Sequence, residues 1–74
     1  MDIRNVDSMY FRDILNDQIV LFQCKTTKEV HCWKAGLYIG MIKKAYIRKY
    51  KKPLEDLKNR ILTDHVFLDK AIEV

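Results

Sequence analysis

The chain has 74 residues, 49% hydrophobic and 32% charged, with two glycines, one proline and a formal net charge of +4. A length of this order leaves room for one small domain, residues 1–74, which buries only about 60% of the surface its unfolded chain exposes, so a thin core is expected. The apolar share and the scarcity of glycine and proline exclude a disordered chain, and two cysteines are too few for a dense disulfide scaffold.

No apolar run approaches the roughly 18 residues of a membrane span, and "MDIRNVDSMYFRD" lacks the basic-then-apolar layout of a signal peptide. No transmembrane segment and a cytoplasmic location are therefore expected. The charge is segregated. Residues 1–24 carry two basic and four acidic groups, residues 25–60 eleven and three, and residues 61–74 one and three, for balances of −2, +8 and −2. A basic middle flanked by acidic ends bears on partners rather than on fold.

In chain order, "NVDSMYFRDILND" places Asp7 or Ser8 as a helix cap before Tyr10, Phe11, Ile14 and Leu15, whose three- and four-residue spacings predict an N-terminal helix. "QIVLFQC" is short and rich in β-branched and aromatic residues, which favours a buried strand. After the polar "KTTKE", "VHCWKAG" alternates again, so residues 18–35 are expected to form a β-hairpin. A rival pattern exists: Thr26 and Glu29 have capping-box spacing, and Phe11, Ile14, Leu15, Ile19 and Phe22 continue a helical stripe, giving an all-α helical bundle with helices over 8–23 and 27–51. The hairpin is preferred because Thr26, Thr27, Val30, His31, Cys32 and Trp33 are mostly indifferent helix formers and Gly36 and Gly40 would each cost a helix interior about 1 kcal/mol.

From Leu37 to Lys51 the spacing predicts a basic amphipathic helix: Ile39, Ile42, Tyr46 and Tyr50 share one arc, and Lys44, Arg48 and Lys51 lie opposite. Pro53 then starts a C-terminal helical segment running to about Glu73, with Glu55 and Asp56 in its first turn. Leu54, Leu57, Ile61, Leu68 and Ala71 fit a seven-residue repeat interrupted at Asp64, where the segment either breaks into two short helices or carries a polar position within a paired helix. The expected fold is α+β: N-terminal helix, β-hairpin, basic helix, C-terminal helix. Gly36 is read as ending the hairpin and Gly40 as allowing close approach of a neighbouring backbone.

Cys24, His31, Cys32 and His65 are metal-ligating types, but their spacings match no recurring zinc pattern, and adjacent residues of a strand face opposite ways. His31 beside Cys32 is not by itself a nucleophile and base, and no phosphate-cradling glycine loop or nucleophile elbow occurs. No enzyme activity, cofactor or metal is expected, and the cysteines read as semi-buried thiols. Trp33, the lone tryptophan, reads as core, with an interface anchor as its other use.

Two functions fit. In the first, a small regulator binds DNA or RNA phosphates through Lys44, Arg48 and Lys51, bordered by Lys43 and Lys52. In the second, the same residues dock an acidic protein surface, as in an adaptor or inhibitor; the many Lys, Ile, Tyr and Asp codons are compatible with a mobile-element origin. A homodimer is expected from the apolar stripe of Leu54, Leu57, Ile61, Leu68 and Ile72, with Asp64 fixing its register.

Overall fold

The computed structural model describes residues 5–73; Asp2 and Arg4 of the N-terminal charge balance, the first residues of the segment read against a signal peptide, and Val74 lie outside them. Five strands form one antiparallel sheet in the order β1-β2-β3-β4-β5. They are β1 Val6–Arg12, β2 Gln18–Cys24, β3 Val30–Lys34, β4 Leu37–Ile42 and the two-residue β5 Ile72–Glu73. Between β4 and β5 the chain forms three short helices, α1 Lys44–Ile47, α2 Pro53–Thr63 and α3 Phe67–Ala71.

The N-terminal helix is not present, and neither is the alternative helical bundle; the segment read as a helix is β1 and the turn after it. Turn chemistry overrides the helical spacing here. The Asp13 carboxylate accepts the N–H groups of Leu15 at 2.9 Å and Asp17 at 3.0 Å, and Asn16 adopts a left-handed φ of 65°, a conformation asparagine tolerates better than most residues. The chain reverses, β1 pairs with β2 from Val6↔Cys24 to Arg12↔Gln18, and Ile14 and Leu15 are left exposed at the tip.

β2 and β3 pair from Ile19↔Lys34 to Gln23↔Val30. Beyond them the expected basic helix over 37–51 is corrected as well: Leu37–Ile42 is a strand, and only Lys44–Ile47 is helical. The two-residue turn Ala35–Gly36, with φ values of 52° and 80°, has the doubly left-handed backbone that matches the twist of a tight hairpin. Gly36 thus turns the chain into a further strand rather than releasing it into a helix. A bulge opposite Cys32 and Trp33 turns Ile39 toward the core, against which it is partly buried.

α2 starts at Pro53 with Glu55 and Asp56 in its first turn and ends at the extended Asp64, which pairs with Arg60 at 3.4 Å. The Asp64 carboxylate also accepts the Val66 N–H at 3.1 Å, opening the turn into α3. The C-terminal segment is therefore two helices, and its last residues form β5 against Met41 and Ile42. Gly40 makes that closure possible: a Cβ there would lie 2.6 Å from Ile72 Cγ2 and 2.9 Å from the Glu73 carbonyl oxygen.

The core lies on one side of the sheet. Phe11, Ile19, Leu21, Val30, Cys32 and Ile42 point to it from the strands, and Ile47, Leu57, Ile61, Phe67, Leu68 and Ala71 close it from the helices. Residues in the opposite phase, among them Tyr10, Val20, Phe22, His31, Trp33 and Tyr38, lie on a face that no helix of the described residues covers.

Candidate functional site

In an antiparallel meander the end of β2, the start of β3 and the end of β4 meet at one edge of the sheet. The β2–β3 turn and the segment from Lys43 to Lys52 are therefore neighbours. They enclose a groove of about 720 Å³ whose wall carries Lys28, Arg48, Lys51 and Lys52, together with Asp7, Gln23, Tyr50 and Glu55. Gln23 is the buried polar residue on that wall, 8% exposed.

Each residue expected to bind a partner, Lys43, Lys44, Arg48, Lys51 and Lys52, is exposed. They do not form one helical face. α1 covers only Lys44, Arg48 is its C-terminal cap, and Lys51 and Lys52 precede α2 in a bend. Among the described residues, Lys28, Lys43, Lys44, Arg48, Lys51 and Lys52 have no carboxylate within ion-pairing distance, whereas Lys25, Lys34 and Arg60 pair with Asp7, Asp17 and Asp64, each at 3.4 Å. The opposite end of the sheet, with Asp13, Asp17 and Asp64, holds two of these paired cations. Six of the cations without a carboxylate partner among the described residues thus lie near one end; Arg12 at the far end of β1, Lys49, and Lys58 and Lys70 on α2 and α3 also lack one. Lys28, in a left-handed conformation at φ 65°, comes to that end only through the fold.

Tyr46 and Tyr50, expected to pack inward, are half-buried against the core, with Tyr46 edge-on to Phe67 at 5.4 Å and Lys49 5.6 Å above its ring. Of the stripe expected to self-associate, Leu57, Ile61 and Leu68 are buried in the chain's own core, and Leu54 and Ile72 pack against it. Much of the apolar surface expected to self-associate is thus turned into the chain's own core.

The two thiols are chemically unlike. Cys24 Sγ lies 3.1 Å from the Thr26 hydroxyl; that hydroxyl, and then the Thr27 hydroxyl and the turn's N–H groups, stabilise the thiolate and lower its pKa from 9.0 to about 6. Cys32 is fully buried, and loss of hydration pushes its thiol up to about 12. Among the described residues, no three His, Cys, Asp or Glu side chains are grouped to hold a metal ion, and no helix is long and apolar enough to cross a membrane.

The feature sequence reasoning missed is the uncovered sheet face. Phe22 and Trp33 meet edge to face with centroids 5.0 Å apart, and Trp33 and Tyr38 at 4.9 Å. His31 Nδ1 and the Tyr38 hydroxyl are hydrogen-bonded at 2.9 Å, and Nε2 lies 3.4 Å from the Glu29 carboxylate. The signal lay in the alternation of β2 and β3, since a core of Leu21 and Cys32 forces Phe22 and Trp33 to the other side. Compared with known proteins, the chain matches no family model, and no curated protein or solved structure is significantly similar to it.

Proposed function

We propose that this chain is a small non-catalytic regulator that binds nucleic acid by its phosphate backbone. The observation that carries the reading is the set of six cations, Lys28, Lys43, Lys44, Arg48, Lys51 and Lys52, without carboxylate partners among the described residues, at one end of the sheet. Unneutralised lysines and arginines gathered on one surface are the electrostatic footprint of phosphate binding, because each contact releases a condensed counterion. Such contacts position a strand without reading its sequence.

The test is salt dependence. With three to five cations engaged, the log–log slope of affinity against salt is expected near −3 to −4.5 for duplex and somewhat shallower for single strands. Reversing Lys44, Arg48 and Lys51 to glutamate together is expected to abolish binding while the far-ultraviolet circular dichroism stays unchanged, since all three are exposed. A protein that shifts no labelled DNA or RNA at about 50 mM salt, where such contacts are strongest, refutes the reading. A second reading, docking onto an acidic protein surface, is favoured by Asp7 and Glu55 on the groove wall, which repel phosphates but can meet cations scattered on a protein partner.

A further inference from the structure

We propose that the uncovered face of the sheet is a base-stacking platform for single-stranded nucleic acid whose phosphates are held at the basic end. The proposal rests on the nucleic-acid reading above and adds the strandedness of the ligand and a second contact surface. Strand register aligns the face in rows. Tyr10↔Val20, Val20↔Trp33 and Trp33↔Tyr38 make one row across four strands. Ser8↔Phe22, Phe22↔His31 and His31↔Met41 make the next, nearer the basic end. Ser8 also lines the basic groove, so the two surfaces adjoin.

The composition of the rows points to bases rather than to a protein. Rings dominate, and Tyr10 and Tyr38 stand out at 58% and 53% exposed. Every base has a π-face, so rings on an open sheet take unpaired bases whatever their sequence. A duplex keeps those faces inside its own stack and cannot use them. Strands about 4.8 Å apart make a row of four about 14 Å long, room for two or three bases. A second copy of the chain is a poorer fit. Two rows about 14 Å long and about 7 Å apart span on the order of 100 Å², so a stable homodimer, which needs roughly 800 Å² per partner, would have to draw most of its contact from outside them. The charge agrees: the Glu29 carboxylate beside these rings lies 3.4 Å from His31 Nε2, and Ser8 joins the face to the groove lined by Lys28, Arg48, Lys51 and Lys52.

Trp33, the lone tryptophan, reports directly on stacking. The full chain is titrated with a strand of about 12 thymidines, a length within the usual range for such sites, then with an abasic strand of equal length and with the corresponding duplex. Trp33 emission and the anisotropy of the labelled nucleic acid are followed. The thymidine strand is expected to quench Trp33 and to bind at least about tenfold more tightly than the abasic strand or the duplex. Tyr38→Ala and Tyr10→Ala are each expected to weaken thymidine binding by about 5- to 100-fold, with abasic binding and the salt slope unchanged and with affinity recovered in Tyr38→Phe. Equal binding of all three ligands without quenching overturns the stacking platform and leaves the basic-end reading standing. Binding of none overturns both. The quenching arm uses the unmodified protein and holds whether or not a variant folds.

Discussion

The two faces of the sheet are built from alternate residues of the same strands and are used in opposite ways. On the covered face Ile19, Leu21, Val30, Cys32 and Ile42 are fully buried and mostly aliphatic, and they meet helices. On the other, Tyr10, Phe22, Trp33 and Tyr38 are aromatic and remain half-buried or exposed. The difference teaches where free energy is stored. Closing the covered face removes apolar surface from water and holds the chain folded, whereas the rings opposite keep accessible surface and contribute less of that term.

The largest expected effect tests the covered face. Leu21→Ala, at a position with no exposed surface, is expected to cost about 2–5 kcal/mol, a large share of the roughly 4–11 kcal/mol typical of a domain this size. Tyr38→Ala, across the sheet, is expected to cost no more than about 1.5 kcal/mol, the contribution of an aromatic pair. Urea midpoints that fall equally for the two variants erase the distinction. Next comes Gly40→Ala. At φ 139° its new Cβ meets Ile72 and the Glu73 carbonyl, and about 1–3 kcal/mol of overpacking is expected, with hydrogen exchange rising first where β4 pairs with β5 while β1 to β3 stay protected.

The cysteines sharpen the contrast at the smallest energetic scale. Cys24 is itself buried, so it is expected to react slowly with iodoacetamide, at a rate that rises with pH about a midpoint near 6, the value set by the Thr26 and Thr27 hydroxyls. Cys32, pushed to about 12 by burial, is expected to stay unmodified until the protein unfolds. The signs oppose. Because its folded pKa is lowered, Cys24 contributes stability that is full above pH 9.0 and is lost as pH falls toward 6. Cys32, with a raised pKa, favours the folded state below pH 9.0, and that advantage is lost as pH rises toward 12. Cys24→Ser removes the first dependence only, and a variant whose stability still changes between pH 6 and 9 shows that another group is responsible.

Parts of this architecture were legible from residues alone. "QIVLFQC" is a strand because β-branched and aromatic residues in so short a run suit a sheet better than a helix. Pro53 with Glu55 and Asp56 opens α2, since those residue types satisfy a helix start. What misled was coincidence of period. Tyr10, Phe11, Ile14 and Leu15 have helical spacing, yet Phe11 is core, Tyr10 is on the open face, and Ile14 and Leu15 ride a turn fixed by Asp13 and Asn16. The arc of Ile39, Ile42, Tyr46 and Tyr50 does pack inward, but from a strand and the short helical stretch after it. Of the candidate site, the exposure of Lys43 to Lys52 followed from charge, whereas Lys28 joins the groove through the β2–β3 turn, a tertiary fact without a local pattern.

The sequential order of the sheet also bears on how the protein forms. β1 to β4 each pair with the strand that follows, through turns of residues 13–17, 25–29 and 35–36, so most of the sheet assembles from neighbours in the chain. Topologies of that kind pay little loop-closure entropy and fold faster than β proteins with distant pairings. β5 is the exception, because it reaches β4 only after three helices have been laid down. Joining the two-residue β5 to β4 beside Gly40 therefore closes the longest loop of the sheet and carries its largest loop-closure cost.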